Sequence, residues 1–194
     1  MQKSKFLALL GILAVFKTLV ACPPADNTSD EGKNEVSAIA LTANDAIVGK
    51  KWDDHDSYLY YPYNVNDLSY DCQISTNFIE TASYGRQEGT IYQKKISETS
   101  GYIYYKITNS ASFTYSNKDA ADYQDKWYAV YYKDLTADSV KISDAYPSFE
   151  PYDPVTYKIA DYHCADSLSD AISTFTVENE YFASEPPTYT IVTQ

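Results

Sequence analysis

Short runs rich in valine, isoleucine, threonine and tyrosine alternate with turn-forming residues from about Ile39 onward. Apolar residues recur at every second position, which is typical of strands with one buried face. Two predicted hairpins show this best: residues 89–96 with 101–108, and residues 126–133 with 139–143. In the second hairpin Val140 and Ile142 should face inward and Lys141 outward. The pattern predicts an antiparallel, all-β domain.

One helix stands out against this background. Further strand candidates are residues 59–63, 72–79, 155–159 and 189–192. The predicted helix begins after a capping Ser167, and its apolar residues recur at helical spacing: Leu168, Ala171, Ile172 and Phe175. Seven or eight antiparallel strands with one short helix in the C-terminal half favour a closed up-and-down barrel, with a two-sheet β-sandwich as the alternative.

The segment Ala46-Ile-Val-Gly-Lys-Lys-Trp52 resembles the start of lipocalin-like barrels. In that family a glycine just before a tryptophan opens the first strand, and the indole closes one end of the barrel. The family's usual pair is Gly-x-Trp, whereas two residues separate Gly49 from Trp52 here. The resemblance implies a lipocalin-like barrel, and the alternative for Trp52 is an ordinary buried residue at the start of a strand.

The N-terminus has the pattern of a signal peptide. Lys3 and Lys5 precede an apolar run, residues 6–16, that is too short to span about 30 Å of hydrocarbon. The tetrad Leu19-Val20-Ala21-Cys22 resembles the lipobox of bacterial lipoproteins, whose cysteine is alkylated by diacylglycerol after export. The resemblance implies a signal peptide over residues 1–21 and palmitate-type acyl chains on Cys22, which would anchor the protein to the cell membrane or outer membrane. An ordinary secretory leader is the alternative.

A tether follows the predicted anchor. Residues 22–38 contain no aromatic side chain, which predicts a flexible acidic linker before a β domain of residues 39–194. Later segments, from Gly101 through Lys126 to Phe182, resemble spirochaetal lipoproteins of unassigned function. That resemblance implies a cell-envelope protein.

Charge and missing motifs exclude several functions. The chain has 15 Lys and Arg against 27 Asp and Glu, a formal net charge of -12. Nucleic acid is excluded as a partner, because phosphate binding needs a cationic face. The chain has no serine-hydrolase, zinc-protease or phosphate-loop motif, so we expect no enzyme activity and no cofactor. The run Asp53-Asp54-His55-Asp56 is interpreted as a solvated turn rather than a metal site.

Two cysteines remain once Cys22 carries lipid. A pair of cysteines in an exported domain predicts a disulfide between Cys72 and Cys164, with two unpaired thiols as the alternative.

The 21 tyrosines are the remaining functional signal. A tyrosine ring with its hydroxyl suits cavity walls, sugar platforms and protein interfaces, but tyrosine is also a favoured strand residue that fills cores. Candidate contact residues are Trp52, Tyr58, Tyr60, Tyr61, Tyr102 and Tyr104. Two functions follow: a lipid-anchored binding module that holds a small apolar ligand in a barrel, or a surface adhesion module whose exposed tyrosines contact a protein or glycan.

Overall fold

Antiparallel strands dominate the structure, a computed structural model that describes residues 37–54, 70–82, 84–112, 119–145, 152–153, 158–159 and 164–192. These residues belong to one compact unit, Glu35–Gln194. The strands are β1 (Ile39–Ala40), β2 (Lys51–Asp53), β3 (Cys72–Ile74), β4 (Phe78–Thr81), β5 (Gly85–Glu88), β6 (Tyr92–Lys95), β7 (Gly101–Lys106), β8 (Trp127–Lys133), β9 (Ser139–Asp144), β10 (Tyr152–Asp153), β11 (Lys158–Ile159) and β12 (Thr188–Ile191). The described helices are α1 (Leu168–Thr174) and two 3-10 turns, Ser110–Ser112 and Ala120–Tyr123.

Ten strands form one sheet in the order β1-β6-β7-β8-β9-β12-β2-β3-β4-β5, and β10 and β11 pair separately. Every pair of neighbours in both sheets is antiparallel. The prediction of an all-β fold with one short helix in the C-terminal half is therefore confirmed. The edge strands β1 and β5 do not pair with each other, so strand pairing does not close the described sheet into a barrel. The ten strands also do not divide into the two sheets of a sandwich.

Both predicted hairpins are present. Strands β6 and β7 pair with Tyr92 opposite Tyr104, and β8 and β9 pair with Tyr132 opposite Ile142. Val140 and Ile142 are buried while Lys141 is partly exposed, as alternation requires. The alternation of apolar and polar residues was sufficient to predict both hairpins, because each hairpin joins strands that are close in sequence.

The other strand predictions fared unevenly. The single strand predicted over residues 72–79 is wrong, because β3 and β4 are separated by a turn in which the Ser75 N–H donates to the Phe78 carbonyl at 2.8 Å. The turn contains Ser75 and Asn77, residue types that favour a chain reversal. The strand predicted over residues 189–192 corresponds to β12. Within the strand predicted over residues 155–159, the structure describes Lys158–Ile159, which is β11. The candidate at 59–63 lies outside the described residues.

The predicted helix forms where its cap indicated. The Ser167 hydroxyl accepts a hydrogen bond from the Asp170 N–H at 3.1 Å, which satisfies a donor that the first turn of a helix leaves free. Ala171 is fully buried. Phe175, at the end of α1, packs edge-on against Tyr128 of β8 with ring centroids 5.8 Å apart. The helix therefore docks on the sheet through its C-terminal end.

Alternation along the strands defines an inner face of the main sheet. The registers place large apolar residues there: Trp52, Cys72, Ile74, Ile79, Ile103, Tyr105, Tyr128, Val130, Tyr132, Val140 and Ile142. All of them are buried and belong to one hydrophobic cluster. Asp144 and Tyr189 share this face but keep partial contact with solvent. The inner face is a packed core whose partly exposed positions on β9 and β12 are Asp144 and Tyr189.

Tyrosines on the opposite, outer face are covered as well. Tyr102 stacks against Phe182 at 5.6 Å, and its hydroxyl accepts a hydrogen bond from the Val177 N–H at 3.1 Å. Tyr104, on the same face of β7, is completely buried. The chain that follows α1 thus shields one part of the outer face, and β7 is buried on both sides.

One side chain joins the edge strand β5 to the chain that leaves β7. The Gln87 amide NH₂ donates to the carbonyls of Tyr84 (2.8 Å) and Asn109 (3.1 Å). Its amide oxygen accepts the N–H groups of Thr108 (2.9 Å) and Asn109 (2.8 Å). Gln87 itself is 1% exposed. We call this arrangement the Gln87 clamp. Its four hydrogen bonds hold the two segments together, as backbone hydrogen bonds hold neighbouring strands together elsewhere in the sheet.

Candidate functional site

The structure places the predicted contact residues in the core or leaves them undescribed. Trp52 and Tyr104 are completely buried, and Tyr102 is 4% exposed. Tyr58, Tyr60 and Tyr61 lie outside the described residues, as does Cys22. The three described residues therefore serve packing in this conformation, which was the alternative interpretation of the tyrosine excess.

The predicted disulfide is not formed between the two described cysteines. Cys72 lies on the inner face of β3 opposite Trp52, whereas Cys164 precedes Ala165, which bridges to Trp127 of β8. Cys72 thus belongs to β3 and Cys164 to the segment that bridges to β8, and the two Cβ atoms do not come together as a disulfide requires. Burial raises the pKa of the Cys72 thiol, with smaller contributions from the charges of Asp144 and Asp71. Cys72 is a core residue that stays protonated.

Carboxylates collect at one end of the main sheet. Strands β2 and β9 finish at this end, and β3, β8 and β12 begin there. Asp53 and Asp54 end β2, Asp71 precedes β3, and Asp144 ends β9. We call this the acidic end. It is also the end at which the chain leaves the described sheet after Asp54 and after Ala145.

Three of these carboxylates form a tight group. Asp53, Asp54 and Asp71 have carboxylate oxygens that all lie within 4.8 Å of one another. The Asp71 carboxylate accepts the Asp54 N–H at 2.9 Å, and the Asp71 N–H donates to the Trp52 carbonyl at 2.9 Å. Three oxygens at this spacing can serve a hard cation, although such ions take six or more oxygen ligands. The sequence pattern singled out Asp53 and Asp54 but missed Asp71, which lies 17 residues farther along the chain.

Asp144 is the most unusual group at the acidic end. It lies opposite Val130 and faces inward with the apolar residues of β8 and β9. Burial raises the pKa of its carboxyl to about 6, yet the residue keeps some accessible surface. Among the described residues, its carboxylate oxygens make no hydrogen bond or ion pair.

Aromatic and polar groups surround Asp144. The pKa values of the Tyr105 and Tyr189 hydroxyls are raised by burial first and by the Asp144 charge second, which places both hydroxyls within electrostatic reach of that carboxylate. The Tyr105 hydroxyl and the Trp52 indole N–H are buried without a hydrogen-bond partner. Unpaired buried polar groups are rare in folded proteins because each costs about 1–3 kcal/mol. The Tyr104 hydroxyl and the Gln93 amide oxygen are also buried without a hydrogen-bond partner, but of these four groups Tyr105 is the one on which the Asp144 charge acts.

Two further features of the surface are an aromatic pair and a shallow groove. Tyr92 and Trp127 form an edge-to-face pair on the outer face, with ring centroids 5.7 Å apart and both residues partly exposed. At the opposite end of the sheet, a shallow groove of about 370 Å³ is lined by Gly49, Lys50, Lys51, Gln73, Ile191 and Val192. The Lys50 ammonium there is already bound to the Ala137 carbonyl at 2.8 Å.

The chain matches no protein-family model, no curated protein and no solved structure. Within the described residues, no helix has the length and the apolar character needed to cross a bilayer. Functional inference therefore rests on the residues of the site.

Proposed function

We propose that this protein is a lipid-anchored binding protein of the cell envelope, which takes a small ligand at the acidic end of its inner face. The observation that carries the proposal is the Asp144 carboxylate, which has no partner among the described residues, within electrostatic range of the buried Tyr105 hydroxyl, which has none either. Unsatisfied polar groups are rare in structural cores, whereas binding sites keep polar groups ready for a ligand.

The proposal extends to the form of the sheet. Strands of a lipocalin-like barrel enclose one face completely, and the packing of the inner-face side chains into one hydrophobic cluster supports this form. The Gln87 clamp supports closure, because it connects β5 to the segment after β7 across the gap in strand pairing. In this proposal the ligand enters at the acidic end, where Asp144 and Tyr189 keep contact with solvent.

Attachment to the membrane is the other half of the proposal. The tetrad ending in Cys22 and the tether over residues 22–38 support an acylated protein whose β domain stands away from the bilayer. Two or three acyl chains give durable anchoring, whereas one chain binds only marginally. Metabolic labelling with a fatty acid should tag the protein, and the Cys22→Ser variant should lose the label. A labelled serine variant would contradict the anchor.

Native mass spectrometry tests ligand binding directly. The protein purified from its own host should carry an extra mass that disappears on denaturation and organic extraction. Protein that is repeatedly free of extra mass, and that shows no thermal shift with any small molecule tested, would refute the binding proposal. The extracted compound would identify the ligand.

A second candidate is a surface module that contacts a protein or glycan. The partly exposed Tyr92 and Trp127 pair favours it, because amphipathic rings are enriched at interfaces and no described segment covers this pair completely. Tyr58, Tyr60 and Tyr61 would extend such a surface. The test compares binding to host cells or matrix by the native protein, by Trp127→Ser and by Tyr58→Ser/Tyr60→Ser/Tyr61→Ser. Unchanged binding by both variants would exclude this function.

A further inference from the structure

We infer that the acidic end binds a small organic cation, an ammonium that carries an apolar group, with the Asp144 carboxylate as its anionic partner. This inference rests on the proposed function and names the class of its ligand.

The first support is the state of Asp144. Its carboxylate faces the core from the last position of β9 and has no hydrogen-bond donor or counter-ion among the described residues. With a pKa raised to about 6 by burial, it is mostly ionised at neutral pH. A buried charge without a partner is costly, and a ligand cation would remove that cost.

The second support is the nature of the surrounding side chains. The rings of Tyr105 and Tyr189 belong to the same inner face as Asp144, and the Asp144 charge acts on both hydroxyls. The Trp52 ring on that face already has the Lys50 ammonium 5.2 Å from its centroid. Aromatic rings attract an ammonium through their negative faces, and the attraction strengthens when water is excluded. The unpaired Tyr105 hydroxyl can accept an ammonium N–H. A carboxylate combined with aromatic walls is the chemistry that recognises an organic cation.

The third support is the charge around the entrance. The charges of Asp144, Asp54 and Asp71 all contribute to the raised pKa of Tyr189, so three carboxylates lie within electrostatic range of this hydroxyl. Carboxylates grouped in this way attract cations and repel anions.

A metal ion fits Asp144 less well than an ammonium does. Calcium and magnesium require about six oxygen ligands, mostly charged or carbonyl oxygens. Among the described residues, the groups on which the Asp144 charge acts are one thiol and two phenols, Cys72, Tyr105 and Tyr189, and burial keeps all three protonated. Such neutral, polarisable surroundings suit a bulky, weakly hydrated cation.

Three probes of nearly equal shape test the inference: benzylammonium, benzyl alcohol and benzoate. Isothermal titration calorimetry would use the full chain in a nonionic detergent at pH 7.5. We expect measurable binding of benzylammonium and at least about tenfold weaker binding of the neutral and anionic probes. A parallel titration with calcium chloride distinguishes a metal site, and tight calcium binding that displaces benzylammonium would overturn the inference.

Variants assign the binding to Asp144. The Asp144→Asn variant should bind benzylammonium at least about tenfold more weakly, since it keeps the shape and loses the charge. Asp138→Asn is the matched control, because Asp138 is exposed in the turn between β8 and β9 at the opposite end. Its affinity should be unchanged. Equal affinity of the Asp144 variant and the native protein would overturn the inference.

The pH profile gives a readout that a structural role would not produce. Lowering the pH from 7.5 to 5 should weaken benzylammonium binding about tenfold, because a carboxyl with a pKa of about 6 becomes protonated. Among the described residues, the titratable groups on which the Asp144 charge acts are Cys72, Tyr105 and Tyr189, which stay neutral over this range; Asp54 and Asp71 also act on Tyr189. The Asp144→Asn variant should show a much flatter profile.

The outcomes separate this inference from the proposed function. A host-derived mass on the native protein, combined with failure of benzylammonium or equal binding of all three probes, would refute cation selectivity and leave ligand binding intact. Loss of both the host-derived mass and all probe binding would refute the two together.

Discussion

Replacing Gln87 by methionine should destabilise the protein more than any other conservative change of a glutamine in the described sheet. Methionine has nearly the same length but cannot form the four hydrogen bonds of the Gln87 clamp. Each bond contributes about 1 kcal/mol net, so the upper value is about 4 kcal/mol. Thr108 and Asn109 are exposed and can recover hydrogen bonds to water. We therefore expect a loss of about 2–3 kcal/mol in the free energy of unfolding.

Urea unfolding followed by tryptophan fluorescence measures this loss, since Trp52 is completely buried in the folded state. Gln73→Met is the matched control, because Gln73 lies on the outer face of β3 and has no side-chain hydrogen bond among the described residues. It should change the free energy of unfolding by less than about 0.5 kcal/mol. A Gln87 variant as stable as the Gln73 variant would refute the reasoning.

The Gln87→Glu variant tests the contribution of the two hydrogen bonds that the Gln87 amide donates to carbonyl groups. Glutamate keeps acceptors for the Thr108 and Asn109 N–H groups but turns a carboxylate oxygen toward the Tyr84 and Asn109 carbonyls, so its loss of stability relative to the native protein should be larger at pH 8 than at pH 4.5. Protonation of the carboxyl restores one donor. An equal loss at the two pH values would show that the carbonyl contacts contribute little.

Three further predictions concern the core and the helix. Because burial raises the pKa of Asp144 to about 6, above its unfolded value, its ionisation destabilises the folded state at neutral pH. Asp144→Asn should therefore raise the free energy of unfolding by about 3 kcal/mol at pH 7.5, and the gain should shrink as the pH falls from 6 toward 4. A constant gain across that range would contradict this assignment. Ser167→Ala should cost about 1 kcal/mol in urea unfolding, with the exposed Ser173 as a control position for the same change. A thiol reagent should label Cys164 in the folded protein and Cys72 only after denaturation, because Cys72 is buried and Cys164 is partly exposed. Labelling of Cys72 in the folded protein would show that the β3 region opens readily.

Local features of the fold were predictable from sequence. The hairpins β6–β7 and β8–β9 and the helix α1 each depend on residues that are close along the chain, and their alternation or capping pattern is explicit. The error at residues 72–79 is also local, since Ser75 to Asn77 interrupt an otherwise strand-like run. A period-two pattern does not by itself distinguish one strand from two strands joined by a tight turn.

Contacts between distant parts of the chain were not predictable. Tyr102 and Tyr104 alternate with inward residues and should have been exposed, but Val177 and Phe182 return about 75 residues later to cover that part of the sheet. The same limit hid the acidic end, where Asp71 and Asp144 join Asp53 and Asp54 only through strand order. In the local sequence around Asp144, the only sign that its carboxyl faces inward is its position two residues after Ile142 and four after Val140, on the same face of the strand.

The Gln87 clamp also bears on aggregation. Strand β5 is an edge of the main sheet, and an edge invites a strand from another molecule to add to it. Its two exposed residues, Arg86 and Glu88, form an ion pair at 3.0 Å and place charge along that edge, which disfavours intermolecular pairing. If the clamp breaks, these two charges become the main remaining protection at this edge. Variants at Gln87 should therefore lose solubility on mild heating before their strand content falls, and variants that also lack Arg86 should precipitate earliest.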